Sequence, residues 1–128
     1  MASILVRDSR VAEFVGDAIG VVFSPPLTCI GLERDGRIVA GVVLNVYEGS
    51  DIHVSIAGSD WTRGLIVEVG HYVYSVLGCE RMTVLTEEPK IVRLAERLGG
   101  SVEGLLRNHF GPGRDAFLVG VLKADFRF

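Results

Sequence analysis

Apolar and polar positions change period several times along the chain, and each change marks an element. Val11, Phe14, Val15, Ala18 and Ile19 recur at three and four residues, the spacing of a helix with one buried stripe. Ser9 is placed to cap that helix and Gly20 to end it. Ser24-Pro25-Pro26 can neither continue a helix nor lie in a central strand, so it reads as a connector. From Thr28 to Tyr47 the period shortens to two. Asp35-Gly36, inside Arg34-Asp35-Gly36-Arg37, supplies the positive φ angles of a tight turn and predicts a hairpin. The second arm sets Ile38, Ala40, Val42, Leu44 and Val46 on one face and Val39, Gly41, Val43, Asn45 and Tyr47 on the other. Both faces are mostly apolar, which predicts a strand covered on two sides.

Glu48-Gly49-Ser50-Asp51 turns the chain into an alternating run at 52–57 that should pair with that arm, and Gly58-Ser59-Asp60 breaks it. Ile66, Val69, Val73, Val76 and Leu77 then keep helical spacing, predicting one central helix stopped by Gly78. The run 82–86 is a short buried strand. Pro89 suits the first position of the next helix, with Glu87 and Glu88 near its positive end; Ile91, Leu94, Ala95 and Leu98 form its stripe, and Gly99 ends it. Two further β-like runs, 102–110 and 116–122, are joined through Gly111-Pro112-Gly113-Arg114.

At 128 residues the chain is read as a single domain, 1–128, with one core. Apolar residues at 48% and charged ones at 23% argue against disorder. A net charge of -3, with both signs interspersed, leaves no footprint for nucleic acid. The first residues carry only a short apolar run without a basic region or small-residue cleavage site, so no export is expected. Apolar stretches are broken well before the roughly 20 residues that a spanning helix needs, so no membrane is expected either. Cys29 and Cys79 stand far apart without metal-ligand spacing and read as small buried apolar residues. A cytoplasmic location follows as the expectation.

The segment from Glu88 to Gly100 (Glu-Pro-Lys-Ile-Val-Arg-Leu-Ala-Glu-Arg-Leu-Gly-Gly), followed by a strand containing Glu103-Gly104 and Arg107, closes a helix, hairpin, strand, helix, strand, helix, strand, strand order. That order and that segment resemble the GNAT superfamily of N-acetyltransferases over about residues 9–128. His53-Val54 with Ala57, Trp61-Thr62-Arg63 and Gly111-Pro112-Gly113-Arg114-Asp115 look like a small GNAT-like group of bacteriophages and prophages. The resemblance implies an α+β fold: a central mixed, mostly antiparallel twisted sheet flanked by helices. It also implies acetyl-CoA as co-substrate in the opening between the strands at 52–57 and 82–86, its pyrophosphate at the N-terminus of the central helix. Free N–H groups and the helix dipole make such an end an anion site.

The resemblance places cofactor contacts at Arg63, Gly64 and Leu65, at Glu88 and Arg93, and along the backbone of Ile56 and Ala57. Arg63-Gly64 matches the opening of the family's phosphate loop, whereas Ile66 and Glu68 stand where its later glycines would be, and Ala95 replaces a frequent proton-donating Tyr. Amine acetylation needs a base. His53 is the candidate, since imidazole titrates near neutrality, with Asp51 at the same side-chain parity. Tyr47 and Glu48 are candidates for an acceptor pocket; His71 and Tyr72 read as packing or surface residues, and His109 lies near the last hairpin. The three histidines are too scattered to suggest a metal, and none is expected. The function implied is acetyl transfer to a primary amine of a small molecule or protein, with a homodimer allowed through the late strands. The alternative is a GNAT-fold binding or structural protein without catalysis.

Overall fold

The computed structural model describes residues 2–128. Seven strands form one sheet: β1 (Ile4–Val6), β2 (Leu27–Arg34), β3 (Arg37–Asn45), β4 (Asp51–Gly58), β5 (Arg81–Thr86), β6 (Ser101–Gly111) and β7 (Arg114–Leu122). Their order is β1-β2-β3-β4-β5-β7-β6. Among the described residues only β4 and β5 run parallel; every other neighbouring pair is antiparallel. Three helices, α1 (Ser9–Ile19), α2 (Arg63–Gly70) and α3 (Pro89–Arg97), complete the expected α+β architecture. Among the described residues no helix is long and apolar enough to cross a membrane.

The sheet buries both faces. Val11 and Val15 of α1 close one core with Cys29, Val43 and Ala57, while α2, α3 and the strands between them enclose the larger core on the opposite face. α1 lies low because Gly31 and Gly41 are cross-strand partners beneath it. A Cβ on Gly41 would come within 2.9 Å of Val15 and 3.0 Å of Val11. The two cysteines are free and buried, and burial pushes both thiols up.

Four expectations need correction. β1 was not foreseen, since three residues are too few to establish an alternation. Asp8, not Ser9, caps α1: its carboxylate accepts from the Arg10 N–H at 3.1 Å. The pairing of Leu32 with Ala40 and Glu33 with Ile38 leaves Val39 as an extra residue, a bulge that exchanges two side chains. Ile38 joins the α1 core and Val39 the opposite one, the reverse of the simple alternation.

The central helix is also not one α-helix. After Gly70 the chain widens into a π-helical segment, His71–Val76, in which the Leu77 N–H donates to Tyr72 O at 2.9 Å. Five-residue hydrogen bonds delay the stripe by a residue, so Tyr74 turns inward and Val76 is left 59% exposed. Leu65, Val69 and Val73 carry the buried stripe ahead of it. Tyr74 hydroxyl donates to Val121 O at 2.6 Å, and burial pushes its phenol up.

Candidate active site

The parallel ladder between β4 and β5 runs only from Asp51 with Arg81 to Val54 with Val84. β4 continues to Gly58, held by β3, and β5 to Thr86, held by β7, so the two diverge into a fork. Within it, the backbone of 55–58 facing β5 lacks a strand partner. Ile56 and Ala57 both lie in this free half of β4, one side chain in each core.

On one side of the fork stands the N-terminus of α2. Thr62 caps it, accepting from the Leu65 N–H at 3.2 Å. Gly64 is exposed, and a Cβ there would meet only the Thr62 hydroxyl at 3.8 Å. Along α3, beside Trp61 ahead of α2, runs a mainly cationic groove lined by Trp61, Lys90, Arg93, Glu96, Arg97 and Arg127. Lys90 Nζ lies 5.8 Å from the Trp61 ring centroid. The Trp61 indole N–H is buried with no hydrogen-bond partner among the described residues, an orphaned donor beside a cationic groove.

On the other side, His53 opens into a cleft of about 380 Å³ at the branching point of the fork. One wall is the end of α1 and the connection after it, with Ile19, Val22 and Phe23; the other is the β6–β7 hairpin, with His109 and Phe110. His109 and Phe110 meet edge to face with ring centroids 4.8 Å apart. Asp51 Oδ2 lies 3.9 Å from His53 Nε2, an ion-pair distance too long for a hydrogen bond. Asp51 Oδ1 accepts from the Thr83 hydroxyl at 2.7 Å and faces Arg81 Nε at 3.5 Å, which fixes this carboxylate. Arg81 in turn holds Glu103 at 2.8 Å, and this hydrogen bond and charge push the guanidinium further up.

Glu48, from the turn before β4, brings its carboxylate within 4.8 Å of the ligand atoms of Asp51 and His53. A metal-capable trio thus exists that the scattered sequence positions of the histidines did not suggest. Tyr47 lines a second cleft, beside Ile52, Tyr72 and Leu77, and the Tyr72 hydroxyl shares a 2.8 Å hydrogen bond with Thr28.

No protein-family model matches the sequence, and no curated protein matches it. Solved structures do. The spermidine/spermine N-acetyltransferase SpeG of Vibrio cholerae, in mutant form, superposes with a TM-score of 0.71 at 16% identity, over 96% of this chain and 96% of that one. The same enzyme in complex with CoA and spermine gives 0.69 at 15% identity, again over 96% of each chain. A protein placed in the GNAT family from Desulfovibrio desulfuricans gives 0.67 at 17% identity, over 95% of this chain and 99% of that one. The chain has the GNAT fold. These neighbours lend no support to the phage-like grouping.

Within the GNAT fold, the residues singled out from sequence divide into three sets. His53 and Asp51 are brought together, and Ile56 and Ala57 lie in the fork. Gly64 and Arg93 border the helix end and the basic groove. Leu65 does not share that surface: its side chain is 1% exposed and its N–H is taken by Thr62. Arg63 is exposed and lies against the C-terminal segment, its guanidinium 5.1 Å from the Phe128 ring centroid. That segment is anchored by the Arg127 N–H donating to Leu98 O at 3.0 Å and by Phe126, which fills the space over Gly70. Glu88 caps α3 only through its backbone, its N–H donating to Thr86 Oγ at 3.0 Å. Glu87 turns away from the helix end and pairs with Arg114, whose guanidinium holds its carboxyl below the usual range. Ile66 packs against the core, and Glu68 is drawn off to Arg7 at 2.7 Å, so neither obstructs the helix end.

Trp61, Lys90, Arg97, Arg127 and Phe128 were not recognised as neighbours of the helix end. Only the three-residue spacing of Lys90 and Arg93 on one helix face hinted at the groove.

Proposed function

We propose that this chain is an N-acetyltransferase that moves an acetyl group from acetyl-CoA to a primary amine. One observation carries the reading: the fork connects a helix N-terminus and a cationic groove on one face of the sheet with a histidine-bearing cleft on the other. Acetyl-CoA supplies an activated thioester; the amine nitrogen forms its bond to the acetyl carbon as the carbon–sulfur bond breaks, and the departing thiolate takes its proton from solvent, since Ala95 stands where a Tyr donor would be. Ile56 and Ala57 offer backbone groups along which an extended amide arm can lie as an added strand would. Gly64 and the first turn of α2 receive the pyrophosphate, and Lys90, Arg93, Arg97 and Arg127 balance the remaining phosphate charge. His53 takes the proton from the ammonium, directly or through water, and Asp51, held by Thr83 and Arg81, steadies the imidazolium.

Calorimetry with CoA and a thiol-release assay with an amine panel test this reading. Saturable binding with turnover supports it; absence of CoA binding at millimolar concentration overturns it.

The second reading, a GNAT-fold binding protein, is favoured by one contact, the Phe128 ring over Arg63. It is separated from the first by the same calorimetry, because a chain that has given up the cofactor shows no binding even when Phe128 is replaced. A homodimer is part of the first reading. β6 is an edge strand whose Val102, Leu105 and Leu106 are exposed, a surface suited to a second copy, and sedimentation tests it.

A further inference from the structure

We propose that the acceptor is an apolar primary monoamine, aromatic or branched aliphatic, seated in the cleft beside His53; this rests on the acetyl-transfer reading above. The cleft is the part of the molecule that selects the amine, since it meets the fork at His53, Val54, Ser55 and Leu85 on the face opposite the cationic groove. Its volume of about 380 Å³ is that of a small-molecule site. Ile19, Val22, Phe23, Val46, Leu85 and Phe110 supply its apolar lining. The polar groups are His53, His109, Asn45, Ser24 and Ser55, none of them a carboxylate.

Charge decides between amine classes. A polyamine carries an ammonium every three or four methylenes, and each one removed from water needs a carboxylate or an equivalent set of acceptors. No Asp or Glu lines the cleft among the described residues. The nearest acids cluster at the His53 end alone: Glu48 lies within 4.8 Å of the Asp51 and His53 ligand atoms, and Asp51 is held by Thr83 and Arg81, so carboxylate charge stands ready for one ammonium and not along the rest of the cleft. A monoamine brings one charge, which His53 removes as the reaction begins. Its apolar remainder meets the aliphatic wall and the edge-to-face pair of His109 and Phe110.

The arrangement differs from what the polyamine substrate of the structural neighbour, SpeG bound to CoA and spermine, would require.

The test is a competition in the chain 1–128 with acetyl-CoA: phenethylamine and isoamylamine against spermidine, read as kcat/KM by thiol release. We expect the apolar monoamines to lead by about tenfold or more. A lead for spermidine overturns the proposal while leaving acetyl transfer intact. The variant Val22→Glu adds a carboxylate at a position 94% exposed, where folding is not at stake, and should shift the ratio toward spermidine. An unchanged ratio counts against the cleft as the selector. If no amine is turned over, line broadening of each amine with the CoA-saturated chain decides the class: binding of phenethylamine upholds it, and binding of spermidine alone, or of neither, overturns it. Failure of CoA itself to bind is the separate outcome that overturns the acetyl-transfer reading.

Discussion

His53 and Asp51 sit two residues apart on one face of β4, and the distance between their side chains, 3.9 Å, leaves His53 free to turn toward the fork. Replacing His53 with Ala should lower kcat by about a hundredfold or more, the range of a lost general base, while CoA affinity stays near wild type. The wild-type rate should rise with pH and the variant should lose that limb; an unaltered rate and profile would move the base elsewhere. Arg63 is the second residue whose chemistry depends on a neighbour. Phe128→Ala removes the ring that holds its guanidinium and should tighten CoA binding by about 0.5–1 kcal/mol, the size of an exposed cation–π contact. Arg63→Glu should weaken binding by about 1–3 kcal/mol. Calorimetry reads both, and opposite signs in the two variants are the outcome that identifies Arg63 as a phosphate ligand held in check. The pairing of His53 with Asp51 was legible because a strand alternates with period two. The contact of Phe128 with Arg63 was not, because a contact between the central helix and the last residue leaves no local pattern in sequence.

At the scale of elements, legibility follows the length of the periodic signal. The hairpin was secure because Asp35 and Gly36 adopt the positive φ values, 52° and 77°, that their residue types permit. The fork could only be inferred through the family resemblance, since where two parallel strands stop pairing is set by β3 and β7 on their outer sides. The bulge at Val39 and the π-segment after Gly70 shift the phase of a pattern without interrupting it, and a phase shift of one residue is invisible when both faces are apolar. α1 shows how strictly packing is set once the elements meet. Gly41→Ala would press a methyl group into Val11 and Val15 and should destabilise the chain by about 1–3 kcal/mol, the usual cost of overpacking. Thr62→Ala should cost about 1 kcal/mol through the lost cap. Chemical denaturation measures both. Full stability in Gly41→Ala would mean that α1 rides higher on the sheet than the structure places it.

The whole molecule depends on a clasp that joins elements remote in sequence. Arg114, at the start of β7, pairs with Glu87 ahead of α3, donates to Ile19 O at 3.3 Å at the end of α1, and lies 5.9 Å from the Phe110 ring centroid. It therefore connects both walls of the proposed acceptor cleft to the end of β5. Hydrogen bonding and charge from Arg114 hold the Glu87 carboxyl below its ordinary value of 4.5. A carboxyl whose pKa is lower folded than unfolded adds stability that is fully present above the unfolded value and is lost as pH falls through the folded one. Glu87→Gln should consequently melt lower than wild type by a constant margin between roughly pH 6 and 8, and that margin should shrink as pH falls below about 4.5. Because Asp8 and the other carboxylates are common to both proteins, the difference between the two melting curves isolates Glu87. A margin that stays constant into the acid range would show that the clasp acts through shape and not through charge. At neutral pH the same variant should raise KM for the amine more than it lowers kcat, since it loosens the Ile19 and Phe110 walls without touching His53. An equal fall in kcat with unchanged KM would place the amine outside this cleft.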